Sequence, residues 1–337
     1  MSNIRLLDCT LRDGGHLTGG NYGEATIKNT VNHLVDAGVD IIEVGFMWDE
    51  ELSSDYTRFY SMNDVKKILP PKDKYGKSKF SVMIEKQNLL DHIEDYDGSI
   101  EYVRIIFKRK LIDWAMDQAK AVIAKGYKVF MNPVNCSVYT DAEYCDLIKK
   151  INEVHPYAMS IVDTFGVLRM EEFCHRFELV QANLDKDITI GVHLHENLGQ
   201  AYTMAQRVTE MADPKRNIVI DGSVLGMGRD PGNLKIEQIA EYMNYKYGTD
   251  YNLDAIYDAI TNEIGPLQEK YQWGYKLPYA MSAYYKLHRT YPEFLMGKPD
   301  LSMKDIDHIL SQVAREESEY YNEAYIEGLY QDYINAK

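Results

Sequence analysis

The chain is 337 residues long, which fits two or three domains or one α/β barrel of about 250 residues with an extension. With 45% hydrophobic and 26% charged residues, the composition is that of a globular chain with a sizeable core; it excludes a disordered protein and needs no disulfide or metal staple. The net charge of −15 repels phosphate backbones and anionic headgroups. Nucleic acid and membrane surfaces are therefore not expected partners, although a local basic pocket for a small anion remains allowed.

The first residues, Met1 to Leu6, lack a basic stretch followed by a long apolar run, so no leader peptide is expected. No segment approaches the ~18 continuous apolar residues of a membrane span. From there to about residue 248 the chain alternates short β-branched runs with amphipathic stretches. The predicted strands are Ile4–Cys9, Asp40–Phe46, Phe80–Ile84, Tyr102–Phe107, Lys128–Asn132, Ala158–Asp163, Ile188–His193 and Asn217–Asp221. The predicted helices between and after them are Glu24–Ala37, Tyr56–Ile68, Gln87–Glu94, Leu111–Ala124, Asp141–Glu153, Met170–Leu184, Asn197–Ala212 and Leu234–Tyr245. Each connection is long enough for a right-handed crossover between parallel strands. Eight β-α units predict a TIM (β/α)8 barrel over residues 1–248.

Residues 249–337 show no comparable strands. They are expected to form tyrosine-rich helices packed on the barrel, the last over Gln312–Ala336. The tyrosines at 320, 321, 325, 330 and 333 read either as packing against the barrel or a second subunit, or as a separate interaction surface. The four cysteines, Cys9, Cys136, Cys145 and Cys174, form no C-x-x-C pair, which predicts free thiols and a reducing cytoplasmic setting.

A barrel active site forms where the strands end at their C-termini. There the chain places Asp8-Cys9-Thr10-Leu11-Arg12-Asp13-Gly14-Gly15-His16, Glu43-Val44-Gly45, Asn132, Asp163-Thr164, His193-Leu194-His195 and Asp221-Gly222-Ser223. In His193-Leu194-His195, alternation along the strand sends both imidazoles to one face. Together with Asp13 they would make a divalent-metal site with open positions; the structural alternative is a hydrogen-bonded pair of core histidines. Arg12 suits the stabilisation of an enolate or alkoxide, or else a salt bridge to Asp8 or Glu43. His16 suits general-base chemistry, or is a solvated loop histidine. Gly226-Met227-Gly228-Arg229-Asp230-Pro231-Gly232-Asn233 is not G-x-G-x-x-G and lacks a P-loop lysine, so it is a poor nucleotide site. The helix start after Asn233 could still receive a carboxylate or phosphate.

Taken together, the Asp8-to-Gly14 segment, Glu43-Val44-Gly45, Asp163-Thr164-Phe165-Gly166, His193-Leu194-His195 and the 226–233 loop resemble the DRE-TIM metallolyase superfamily. That group includes 4-hydroxy-2-oxovalerate aldolase, 3-hydroxy-3-methylglutaryl-CoA lyase, isopropylmalate and homocitrate synthases and carboxyltransferase domains. The resemblance spans roughly Ile4 to Tyr245. It implies a divalent metal ion, Mn2+ foremost, with Mg2+, Co2+ or Zn2+ as alternatives. It implies that Asp13, His193 and His195 are ligands, with Asn233 similar to a fourth. It implies that Arg12 stabilises a pyruvate enolate and that Glu43 orients Arg12.

Gly15-His16 stands where the acyl-CoA branches carry glutamine, and the 226–233 loop has no cysteine. Both differences favour the aldolases, in which a histidine similar in position to His16 is catalytic. The tail is the main departure; in those aldolases it supplies a tyrosine to the site and docks a partner dehydrogenase. Within Gly274–Tyr279, Tyr279 is the matching residue for that catalytic role. The implied reaction joins or cleaves a 4-hydroxy-2-oxo acid, with pyruvate and an aldehyde as the other side. The implied partners are a small 2-oxo acid substrate and, through the C-terminal helices, a homo-oligomer or a dehydrogenase. A Claisen-type acyl-CoA lyase or synthase is the alternative. A non-catalytic barrel module is disfavoured, because a retired site has no physical reason to keep so many convergent charges.

Overall fold

The computed structural model describes residues 3–229 and 231–337. Met1 and Ser2 of the N-terminal expectation and Asp230 of the 226–233 loop lie outside the described residues. Eight parallel strands close into a barrel: β1 (Asn3–Asp8), β2 (Ile41–Met47), β4 (Lys79–Ile84), β5 (Tyr102–Phe107), β6 (Lys128–Pro133), β7 (Ala158–Asp163), β8 (Thr189–Leu194) and β9 (Asn217–Gly222). A two-residue strand, β3 (Arg58–Phe59), pairs in parallel beside the end of β2, with Phe46 opposite Arg58. Closure is complete because β1 pairs with β9 on one side (Asp8 opposite Gly222) and with β2 on the other (Leu7 opposite Ile41). The expected TIM barrel is the observed fold.

Inward-facing residues fall into levels set by the two-residue period of the strands. The lowest level is apolar and includes Ile41, Tyr102, Phe130, Ala158 and Val219, which pack together. Two residues further along each strand come Glu43, Arg104, Asn132, Ser160 and Asp221, all buried. Two further again, Ile106, Val162 and His193 line a cavity at the C-terminal mouth. The outward positions and the surrounding helices form the main core. The helix Glu24–Asp36 buries Ile27, Val31 and Leu34, spaced four and three residues apart on one face. Asp141–Val154 starts in a Thr140/Glu143 capping box and buries Tyr144, Leu147, Ile148 and Ile151. Each such side chain contributes about 1.5–3 kcal/mol on burial.

Two of the expected helices are largely replaced. Within 56–68 only Met62–Lys66 is helical, because Ser61 caps it with Asp64 and the preceding residues pair beside β2 as β3. Within 87–94 only a single turn, Leu90–His92, forms. There the backbone is served by side chains instead: Lys125 Nζ donates to Ile93 O at 2.6 Å and the Tyr127 hydroxyl to Glu94 O at 2.9 Å.

In the C-terminal region, Tyr251, Ala255, Ile256, Ile264 and Trp273 pack into the same core as the barrel helices. The helices Leu277–Tyr284, Thr290–Met296, Met303–Ser311 and Glu323–Ala336 share a second apolar core containing Met281, Tyr291, Leu295, Ile309 and Ile326. The expected helix over 312–336 begins only at Glu323, where Asn322 accepts a capping bond from Tyr325 N at 3.2 Å. Among the described residues no helix is long and apolar enough to cross a membrane. All four cysteines are free thiols.

Candidate metal centre and active site

The turn after β1 carries the acidic ligand candidate. Asp8 accepts from Thr10 N and Thr10 Oγ1 at 2.9 and 2.7 Å, and Thr10 Oγ1 accepts from Val224 N at 2.8 Å. That chain of bonds ties the end of β1 to the loop after β9 and winds Thr10–Asp13 into one helical turn. Gly14 continues the turn where space is short: a Cβ there would lie 2.6 Å from both Thr10 O and the Tyr22 hydroxyl. Asp13 thereby faces the mouth beside Arg12, with which it forms an ion pair.

The histidines arrive from β8. His193 and His195 lie with ring centroids 5.1 Å apart at 78°, on the same side of the strand as expected from alternation. The loop bearing Asn233 is stitched to this strand end by a His195–Asn233 bridge and by Leu234 N donating to Leu194 O at 3.2 Å. Asn233 Nδ2 donates to Asp13 Oδ2 at 2.6 Å and to Met227 O at 3.2 Å. Gly228 is required at that approach, since a Cβ would lie 2.5 Å from Asp13 Oδ2.

Asp13, His193 and His195 offer one carboxylate and two imidazole ligand atoms, all within 4.8 Å of one another and all buried. His193 Nδ1 is engaged by Asp221 Oδ2 at 3.0 Å, which leaves its other nitrogen as the lone-pair donor. His195 Nδ1 and Asn233 Oδ1 are buried without a hydrogen-bond partner. A carboxylate, two imidazoles and orphaned polar atoms in one buried pocket are the donor set of a divalent-metal site. Burial disfavours charge on Asp13, but the Arg12 guanidinium outweighs it and holds the carboxyl well below the usual range. Burial lowers His195 to about 3, with Asp13 opposing and His193 and Arg289 reinforcing the shift, so this ring is neutral, as a ligand must be.

A buried charge network supports the rim. Arg12 Nε donates to Glu43 Oε2 at 2.7 Å, and Arg104 Nη1 donates to the same oxygen at 3.1 Å. Arg104 also pairs with Asp221. The network thus runs from Asp13 through Arg12, Glu43, Arg104 and Asp221 to His193. The salt-bridge alternative for Arg12 and its placement beside the ligands are therefore both realised, with Glu43 rather than Asp8 as the partner. Arg104 was not singled out from sequence. Its signal was present, a lone guanidinium in the apolar strand Tyr102–Phe107.

His16 stands at the rim, its side chain 29% exposed, with Nε2 4.0 Å from Asp13 Oδ1 and its ring edge-on to Phe46 at 5.6 Å. Packing lowers its pKa to about 4 against the pull of Asp13, while Arg12, Arg289 and Arg229 add to the lowering. The ring is neutral and able to accept a proton. Tyr279 is not brought into the cavity wall; its hydroxyl lies 3.4 Å from Glu293 Oε1. Tyr320, from much later in the chain, lines the cavity instead. Asp163 accepts from Val167 N and Leu168 N at 3.0 and 3.1 Å and so shapes the turn after β7, leaving Thr164 on the cavity wall. The cavity has a volume of about 250 Å3.

Comparison with known proteins places the chain among relatives of this architecture. A family model described as HMGL-like matches residues 99–261. A 4-hydroxy-2-oxovalerate aldolase of Rhodococcus jostii is 24% identical over 269 residues, covering 78% of this chain and 74% of that protein. A homocitrate synthase of Pyrococcus horikoshii is 28% identical over 273 residues, 75% of this chain and 69% of that protein. Among solved structures, the N-terminal domain of a candidate aldolase from Bacteroides vulgatus superposes with a TM-score of 0.74 at 24% identity, covering 90% of this chain and 99% of that one. An HMG-CoA lyase from Brucella melitensis gives 0.63 at 17% identity, over 80% and 100%.

Proposed function

We propose that this relative of the HMGL-like, or DRE-TIM, proteins is a metal-dependent aldolase that cleaves or forms a 4-hydroxy-2-oxo acid. The observation that carries the reading is the convergence of Asp13, His193, His195 and Arg12 on the floor of one cavity, with His16 at its rim. A divalent ion held by Asp13, His193 and His195, with Asn233 beside them, would supply Lewis-acid polarisation of the substrate's 2-oxo group.

The chain's own residues account for the rest. Arg12, fixed between Glu43 and Asp13, presents a rigid cation where negative charge develops on the C2 oxygen. His16, neutral, takes the proton of the C4 hydroxyl. The C3–C4 bond then breaks, its electron pair stays on C3, and C4 leaves as the aldehyde carbonyl. The resulting enolate takes a proton at C3 and becomes pyruvate. Glu43, itself held by Arg104, keeps Arg12 from swinging away as charge forms. The acyl-CoA alternative draws on the similarity to homocitrate synthase.

Loss of the pyruvate methyl proton signal in D2O, catalysed by Mn2+-loaded protein, tests the reading. Metal-dependent exchange is expected without acyl-CoA. No exchange with metal bound overturns the aldolase, and exchange strictly dependent on acyl-CoA supports the Claisen alternative.

A further inference from the structure

Of the buried inward level Glu43, Arg104, Asn132, Ser160 and Asp221, Asn132 alone lines the cavity among the described residues. It is 2% exposed. Ser160, its neighbour on β7, pairs with Gly191, two residues before His193 on β8. Asn132 therefore sits one inward level beneath His193, with β7 between them. The orientation of its amide follows from the side chain it meets. Arg104 has only donors: Nη1 donates to Glu43 Oε2 at 3.1 Å, and Nη2 pairs with Asp221. The amide atom facing that guanidinium is therefore the oxygen, since the reverse would set donor against donor. So placed, Asn132 Oδ1 accepts from Arg104 Nη2 at 2.7 Å and from Nε at 3.3 Å. The amide nitrogen then faces Ser160 Oγ at 3.4 Å, a long contact that takes at most one of its two hydrogens. The other remains for the cavity, and the bonds from Arg104 polarise the amide and strengthen it as a donor.

We propose that Asn132 is a substrate-binding residue whose amide N–H donates to the carboxylate of the bound 2-oxo acid. The proposal rests on the aldolase reading of the site and adds the side chain that recognises the acid end of its substrate. In that reading the metal and Arg12 serve the 2-oxo oxygen, where charge develops, and His16 serves the C4 hydroxyl. The carboxylate is anionic before and after cleavage and needs a donor that is fixed throughout. A neutral amide supplies it without adding a charge beside the metal ligands. Arg104 cannot do so directly, because Glu43, Asp221 and Asn132 occupy its donors. Asn132 thus carries the polarity of a wholly buried guanidinium to the cavity floor.

Pyruvate is the probe, and the first measurement needs no loss-of-contact variant. In 15N-labelled, Mg2+-loaded protein the Asn132 side-chain amide signals are assigned by their absence from Asn132→Asp, in which an oxygen still meets Arg104. One amide proton is expected to shift downfield when pyruvate binds, and not when Mg2+ alone is added. In Asn132→Ala the calorimetric Kd for pyruvate is expected to rise about tenfold, the worth of one charge-assisted hydrogen bond. The kcat/KM of methyl-proton exchange in Mn2+-loaded protein should fall to match, with the loss in KM, because a donor to the carboxylate acts alike on ground and transition states. An amide that does not move when pyruvate binds overturns the contact, and so does an unchanged Kd in folded Asn132→Ala; either leaves the aldolase reading standing. A loss that sits in kcat overturns the assignment to the carboxylate. Binding of pyruvate to neither the Mg2+- nor the Mn2+-loaded native protein overturns the aldolase reading and this proposal with it.

Discussion

Asp221 Oδ2 accepts a hydrogen bond from His193 Nδ1 at 3.0 Å and is paired with Arg104 at the same oxygen. One carboxylate therefore orients a ligand imidazole and neutralises a wholly buried guanidinium. Arg104 offsets the burial of Asp221 and holds its carboxyl below the ordinary range. Asp221→Asn keeps the shape but weakens both contacts. Metal affinity is expected to fall about 10–100-fold, the usual cost of losing such a supporting partner. Titration of the apoprotein with Mn2+ measures it; unchanged affinity would remove Asp221 from the metal centre.

Glu43 is the point at which two buried cations meet, since its Oε2 accepts from both Arg12 and Arg104. Replacing a buried counter-ion strands its partners, at a cost of about 3–5 kcal/mol. Glu43→Gln is expected to lose stability on that scale in urea unfolding. Pyruvate exchange should fall further than metal content, because Arg12 loses its anchor while Asp13, His193 and His195 remain.

His16 stands at the rim of the cavity, 4.0 Å from Asp13 Oδ1. His16→Ala is expected to retain stoichiometric metal while carbon–carbon cleavage drops about 10²–10⁴-fold. Metal analysis and aldehyde release, followed on the same sample, check the two halves. Loss of metal together with activity would make His16 a ligand instead of a base.

Asp8 gives a pH dependence with a definite sign. Burial raises its pKa from 3.8 to about 7, against the lowering effect of its bonds from Thr10. The folded state therefore binds this proton more tightly than the unfolded chain does. The stabilisation is complete below pH 3.8 and is lost as pH rises through about 7. Asp8→Asn should flatten that part of the curve, so the stability difference between native and variant proteins changes between pH 4 and 8. A difference constant over that range would show that Asp8 does not titrate there.

Local chemistry was legible in the residues themselves. The eight strands were readable because β-branched runs recur between amphipathic helices, and a period of two on β8 puts His193 and His195 on one face whatever the rest of the chain does. Arg12, Asp13 and His16 were readable because they crowd the end of the first strand. Contacts remote in sequence carried no such local signal. Glu43 and Arg104 lie 61 residues apart, and their shared oxygen exists only because barrel closure stacks their inward positions at one level. Local helical propensity failed over 87–94, where Lys125 and Tyr127 satisfy the backbone from outside. The tail shows the same division: its tyrosines and helices were expected, but the packing of its own apolar core decides that Tyr320 and Arg289, and not Tyr279, reach the cavity wall. A sequence determines side-chain chemistry and its period along one element; which elements bring their faces together is decided by closure of the barrel and burial of the remaining apolar surface.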